Sequence, residues 1–68
     1  MREWFVTYYN DRAEAVDSDT LHTEEQDALL EAFFRLESFP EIVKAIVRTT
    51  KEDGGLTLPF ATINKVVP

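Results

Sequence analysis

Residues 23–37 have the sequence Thr-Glu-Glu-Gln-Asp-Ala-Leu-Leu-Glu-Ala-Phe-Phe-Arg-Leu-Glu, which predicts an α-helix. Thr23 followed by Gln26 fits the capping box, in which each side chain hydrogen-bonds a free backbone N–H at the helix start. The acidic residues of the first turn suit the positive end of the helix dipole. We therefore expect a helix capped by Thr23, with Glu31 and Arg35 placed to form an i,i+4 ion pair.

The apolar residues of this helix are predicted to face a sheet. At about 100° per residue one arc contains Leu29, Leu30, Phe33 and Leu36, with Phe34 at its border. The polar residues Asp27, Glu31 and Arg35 fall on the opposite side. The arc is wide and aromatic, which favours a helix lying across a sheet over a coiled-coil seam.

The first part of the chain predicts a β-hairpin. Residues 2–10 are rich in aromatic and β-branched residues, as strands are, and Asn10-Asp11 is a candidate two-residue turn into a strand at 12–17. This turn would place Val6 opposite Ala15. Trp4, Val6, Tyr8, Ala13 and Ala15 would then face the helix, and Phe5, Thr7, Tyr9, Arg12, Glu14 and Val16 would face away. Residues 17–22 are expected to form a polar loop.

The second part predicts a further hairpin. Ser38-Phe39-Pro40 ends the helix, because the residue before a proline avoids the α region. The β-branched segment 41–50 favours a strand, although Ser38 and Glu41 also fit a capping box for a second helix. Residues 51–55 indicate a loop, and 56–67 a last extended segment interrupted by Pro59.

The predicted fold is therefore a single small α+β domain spanning residues 1–68. Its order is ββαββ, with one helix packed on an antiparallel sheet. The alternative is a β-hairpin followed by two helices. A chain this short buries about 60% of its unfolded surface, so homodimerisation is an expected source of added stability.

Composition excludes several classes of protein. The 68 residues contain no cysteine, which excludes disulfides and thiolate zinc sites. No signal segment or long apolar run is present, so we expect a complete cytoplasmic gene product without a membrane partner. The net charge of −6 comes from the first 37 residues, which hold ten acids against three arginines. Such a surface disfavours direct contact with a nucleic-acid backbone.

No residue pattern indicates catalysis, a cofactor or a metal. His22 is the one candidate base near neutral pH. The pair Gly54-Gly55 lacks the spacing and lysine of a phosphate loop. Asp17-Ser18-Asp19 lacks the length, glycine and terminal glutamate of an EF-hand loop. The protein is therefore predicted to be no enzyme.

Two surfaces are predicted to bind a protein partner. The first is acidic and comprises Asp17, Asp19, Glu24, Asp27 and Glu31, which would dock on a basic surface, for instance a nucleic-acid channel. The second is the sheet face without a helix, comprising Phe5, Tyr9 and Ile46, with Arg12 beside Tyr9.

In size, charge and layout the chain resembles small phage and mobile-element proteins that blunt host defence, such as anti-CRISPR and anti-restriction proteins. The likeness rests on no shared motif. It implies an acidic inhibitor or anti-defence accessory protein that docks on a larger basic partner. Two alternatives stay open: a structural or regulatory homodimer joined through the exposed sheet face, and a weak nucleic-acid binder acting through Lys44, Arg48, Lys51 and Lys65 of the basic C-terminal hairpin.

Overall fold

A computed structural model describes residues 2–50, 55 and 60–65. The elements are β1 (Arg2–Tyr9), β2 (Ala15–Thr23), α1 (Glu25–Ser38), β3 (Lys44–Thr49) and β4 (Ala61–Asn64). The four strands form one antiparallel sheet in the order β2-β1-β3-β4, and α1 packs on one face of it. This confirms the predicted ββαββ fold, and it confirms a strand within 41–50 in place of a second helix. Residues 51–54 of the loop predicted at 51–55, with Lys51 of the basic hairpin among them, and residues 56–59 and 66–68 lie outside the described residues.

The core lies between α1 and the two central strands. Alternate residues of each strand point to the helix, because successive side chains of a strand face opposite sides of the sheet. The buried side chains are Trp4, Val6, Tyr8, Ala28, Ala32, Leu36, Ile42, Ala45 and Val47. The burial of Trp4, Val6 and Tyr8 confirms the alternation predicted for β1.

Trp4 also contacts the end of β2 and the residue that precedes β4. Its indole Nε1–H donates to the backbone carbonyl of Thr23 at 3.0 Å, which satisfies the polar atom of a buried ring. The Trp4 and Phe60 rings meet edge to face, with centroids 5.3 Å apart. One side chain thus fixes the end of β2 and the start of β4 against β1.

The helix faces the sheet through a different arc from the one predicted. Its buried residues Ala28, Ala32 and Leu36 follow at intervals of four, and Leu29 is partly buried beside them. Leu30, Phe33 and Phe34 are exposed, so their placement in or beside the buried arc was wrong. The physical reason is steric: the rings of Trp4 and Tyr8 occupy the layer between sheet and helix, and Ala28 and Ala32 leave room for them.

The start of the helix also differs from the prediction. Thr23 belongs to β2, Glu24 is the N-cap without a side-chain cap bond, and the Thr23 hydroxyl donates to Asp27 Oδ2 at 3.3 Å. Thr23 pairs with Arg2 in the sheet ladder, and this pairing prevails over the capping box. The helix ends at Ser38, as Pro40 predicted, and Phe39 is extended.

The first hairpin has a longer turn and a different register from those predicted. Val6 lies opposite Asp19, not Ala15, and a bulge occurs between Tyr8 and Tyr9. Residues 17–22, predicted as a loop, therefore form most of β2. Ala13 and Ala15 are exposed and do not face the helix. The sheet ladder supplies hydrogen bonds along the full length of β1, which outweighs the weak strand propensity of this polar segment.

Asn10 organises the turn. Its side-chain Oδ1 accepts hydrogen bonds from the backbone N–H groups of Arg12 (2.9 Å) and Glu14 (3.0 Å). Its backbone N–H donates to the Glu14 carbonyl at 3.0 Å, and its carbonyl accepts from the Ala13 N–H at 3.1 Å. These bonds hold Ala13 at φ 62°, in the left-handed region that favours glycine.

Replacing Ala13 by glycine should therefore stabilise the protein. We expect Ala13→Gly to raise the free energy of unfolding by about 0.5–1 kcal/mol, because glycine adopts positive φ without the Cβ clash. Urea unfolding followed by the fluorescence of Trp4, the single tryptophan, measures the change. The matched control is Ala15→Gly in β2, which should lower stability. Equal effects of the two substitutions would contradict the assigned turn.

Candidate protein-docking surfaces

Three large apolar side chains are exposed on the side of α1 that faces away from the sheet. The exposed fractions are 57% for Leu30, 53% for Phe33 and 70% for Phe34. The i, i+3, i+4 spacing places the three side chains next to one another on the helix surface. A single exposed apolar residue is ordinary, whereas a contiguous group is a candidate surface for interaction. We refer to Leu30, Phe33 and Phe34, with the acids described next, as the outer helix face.

Carboxylates border this apolar group. Glu31 precedes Phe34 by three residues, Glu37 follows it by three, and Asp27 precedes Leu30 by three, so each is a neighbour on the helix surface. All three acids are exposed. The only basic residue in α1 is Arg35, which points to the sheet. The outer helix face therefore combines apolar anchors with uncompensated negative charge.

Arg35 links the helix to the edge strand β2. Its guanidinium pairs with Asp17 (Nη1 to Oδ2, 2.8 Å) and with Asp19 (Nη2 to Oδ1, 3.2 Å). It also lies 5.7 Å from the ring centroids of Tyr8 and Phe39. The sequence predicted a partner for Arg35 within the helix and a solvent-facing position, and both expectations were wrong. The geometry of β2 brings two carboxylates under the helix, where the planar guanidinium fits them.

Tyr8 of β1 also belongs to this cluster. Its hydroxyl donates to Asp19 Oδ2 at 3.2 Å. Burial, reinforced by the negative charge of Asp19, raises the pKa of Tyr8 well above its usual value, although Arg35 opposes this. Tyr8 is thus held neutral as a hydrogen-bond donor. The cluster of Tyr8, Asp19, Arg35 and Asp17 is a structural tie between layers.

The opposite face of the sheet has a different character. Phe5 and Tyr9 of β1 and Ile46 of β3 are partly buried there, as predicted for the sheet face without a helix. Phe5 lies opposite Arg48, and Tyr9 lies opposite Lys44, whose Nζ is 5.3 Å from the Tyr9 ring centroid. We refer to Phe5, Tyr9, Lys44, Ile46 and Arg48 as the open sheet face.

The predicted site residues are thus divided among three places. Asp27 and Glu31 lie on the outer helix face with Glu24 at its N-terminal end, and Asp17 and Asp19 are engaged by Arg35. Arg12 was expected opposite Tyr9, but Ala15 takes that position and Arg12 lies in the exposed turn. The structure therefore brings the acidic residues together only in part.

The apolar half of the outer helix face was missed by sequence reasoning. Seven of the 14 helix residues are apolar, which is more than one face of a helix on a sheet can bury. Ala28, Ala32 and Leu36 form a complete buried arc on their own. The apolar residues in excess of this buried arc were the signal that could have revealed Leu30, Phe33 and Phe34 as surface residues.

A small cleft of about 270 Å³ lies at the N-terminal end of α1. It is lined by Arg2, Trp4, Thr23, Glu24, Glu25 and Phe60. His22, the one histidine, is exposed on β2 opposite Glu3 and does not line it. Within the described part of the chain, no group of three His, Asp or Glu side chains is placed to hold a metal ion. The same residues include no helix with the length and apolar character needed to cross a membrane.

Comparisons of the chain with protein-family models, curated proteins and solved structures gave no match.

Removing the charge of Arg35 should destabilise the fold. We expect Arg35→Met to lower the free energy of unfolding by about 1–2 kcal/mol, because two charge-assisted hydrogen bonds are lost while the stem still packs. Urea unfolding measures the loss. The control is Arg12→Met in the exposed turn, which should change stability by less than about 0.5 kcal/mol. If Arg35→Met leaves the free energy of unfolding unchanged, the cluster does not contribute to stability.

The raised pKa of Tyr8 predicts a loss of stability at alkaline pH. Below about pH 10 the hydroxyl is protonated in both states, so its contribution is fully present. Above that pH the unfolded chain releases the proton and the folded chain does not, so stability falls by up to about 1.4 kcal/mol per pH unit. Urea unfolding between pH 8 and 12 should show this slope. Tyr8→Phe should reduce it, whereas Tyr9→Phe, on the other face of β1, should retain it.

Proposed function

We propose that this protein is a non-enzymatic binding module that docks its outer helix face on a partner protein. The observation that carries the proposal is the exposure of Leu30, Phe33 and Phe34, each more than half accessible, on one side of α1. The partner surface is expected to be apolar and bordered by lysine and arginine.

The apolar group supplies the energy of docking. Fully burying a Leu or Phe side chain is worth roughly 1.5–3 kcal/mol. Because the three residues are already partly buried, only part of that amount is available. The gain must also exceed the cost of association and of ordering side chains. Three adjacent anchors are enough for a specific contact when they enter a pocket or groove, which is how an exposed helix face is commonly recognised.

The carboxylates supply selectivity. Asp27, Glu31 and Glu37 surround the apolar group with negative charge, and no basic residue of α1 lies among them. A partner with acidic residues at its rim would be repelled, whereas lysine and arginine at the rim would be attracted and would speed the encounter. The charge of the outer helix face thus favours a basic protein.

The inhibitor hypothesis is a narrower form of this proposal. If the basic partner surface is a nucleic-acid channel, docking blocks the channel and nucleic acid competes with the module for it. The apolar anchors distinguish this mode from simple phosphate mimicry, because carboxylates alone would be displaced by moderate salt. Asp17 and Asp19 are left out of the contact, since both pair with Arg35.

Photo-crosslinking from the outer helix face tests the proposal. A benzophenone side chain placed at position 34 should crosslink a partner in the native host, whereas the same group at position 12, in the turn, should not. The crosslinked protein is then purified and titrated with the unmodified chain. We expect Phe34→Ser to weaken binding by about 30-fold or more, as for a central anchor. Asp27→Lys combined with Glu31→Lys should mainly slow association.

Stability controls separate docking from folding. Leu30→Ser and Phe34→Ser should change the free energy of unfolding by less than about 0.5 kcal/mol, because both side chains are exposed. Leu36→Ala, in the core, should cost about 2–5 kcal/mol. Binding that is unchanged by Phe34→Ser and by the charge reversals would refute the docking surface.

A further inference from the structure

The open sheet face has the chemistry that the proposed function requires of a partner. Its apolar residues are Phe5 and Tyr9 of β1 and Ile46 of β3, and Ile46 lies opposite Thr7 between the two aromatic residues. Lys44 and Arg48 flank these residues from β3. A surface that places cations beside partly buried aromatic rings is what the outer helix face is suited to contact.

Charge is separated between the two faces of the molecule. The open sheet face carries Lys44 and Arg48. Among the described strand residues on this side of the sheet, Glu3 has the one carboxylate. The whole chain has a net charge of −6, so the excess of acid lies elsewhere. On the outer helix face that excess is Asp27, Glu31 and Glu37 without a cation.

The spacing of the charges also matches. Asp27 and Glu37 are ten residues apart on the helix, a distance of about 15 Å along its axis at 1.5 Å per residue. Lys44 and Arg48 are four residues apart on β3, about 13 Å at 3.3 Å per residue. A helix laid along the strand direction can therefore place an acid near each cation.

We infer that the outer helix face of one copy docks on the open sheet face of a second copy. The inference rests on the proposed function, since it names a partner for the same surface. Leu30, Phe33 and Phe34 pack against Phe5, Tyr9 and Ile46. The helix layer of one molecule thereby covers the sheet face that the other molecule leaves without a helix.

Symmetric contacts between identical faces are disfavoured by charge. Two outer helix faces would oppose Asp27 and Glu31 with the same acids, and two open sheet faces would oppose Lys44 and Arg48 with the same cations. The unlike contact is heterologous, so each copy offers one face of each kind. Such contacts continue from copy to copy unless a ring closes them.

Two single-face variants test this arrangement. The helix variant carries Leu30→Ser and Phe34→Ser, and the sheet variant carries Lys44→Thr and Arg48→Thr. Wild-type protein should form species larger than a dimer with rising concentration in sedimentation velocity. Each variant alone should associate at least about tenfold more weakly. An equimolar mixture should form a 1:1 dimer and nothing larger, because only one pair of faces is intact.

A second mixture and a test of folding serve as controls. A chain carrying all four substitutions, mixed with the helix variant, should stay monomeric, and circular dichroism should show that every variant is folded. Monomeric wild type, or a mixture that forms no dimer, would overturn the inference. If in addition Phe34→Ser abolishes binding to a crosslinked partner of another sequence, the proposed function stands and only self-docking fails. If Phe34→Ser alters neither binding nor assembly, both fail.

Discussion

The bulk of Trp4 and Tyr8 on the helix side of β1 is the constraint on which the rest of the structure depends. Both rings are buried, and they occupy the layer between sheet and helix. A helix can lie close over them only where its own side chains are small, and Ala28 and Ala32 provide that place. Leu36 completes the buried arc, and Leu30, Phe33 and Phe34 are turned outward. Packing in the core and exposure on the surface are thus two results of one steric requirement.

The arrangement of elements could be predicted from the sequence, because it depends on strong local signals. β-branched and aromatic residues mark β1 and β3, Pro40 ends the helix, and alternation assigns Trp4 and Tyr8 to the core. The register of β2 could not be predicted in this way. The register is determined by the hydrogen bonds of Asn10 in the turn and by pairing along the whole of β1. Polar residues of β2 such as Ser18 have little strand propensity of their own.

The candidate surfaces were predictable to different degrees. The open sheet face follows from strand alternation, so Phe5, Tyr9 and Ile46 could be placed without a structure. The outer helix face was harder to place, because α1 has more apolar residues than one face can bury and residue type alone does not show which of them face the sheet. Whether Ala32 or Phe33 is buried depends on the volume available between the helix and the sheet. Likewise, the pairing of Arg35 with Asp17 depends on a register that the sequence did not reveal.

Arg35 and its two carboxylates also have a consequence for β2. This strand is one of the two edge strands of the sheet, and no described strand pairs with its free edge. An open edge is a template on which foreign strands can add, and repeated addition leads to cross-β aggregates. Asp17 and Asp19 on β2 place charge beside that edge, and Arg35 ties the strand to the helix above it. The contacts that join the layers thus also place charged side chains on an edge strand, which is a means by which natural sheets oppose edge-to-edge pairing.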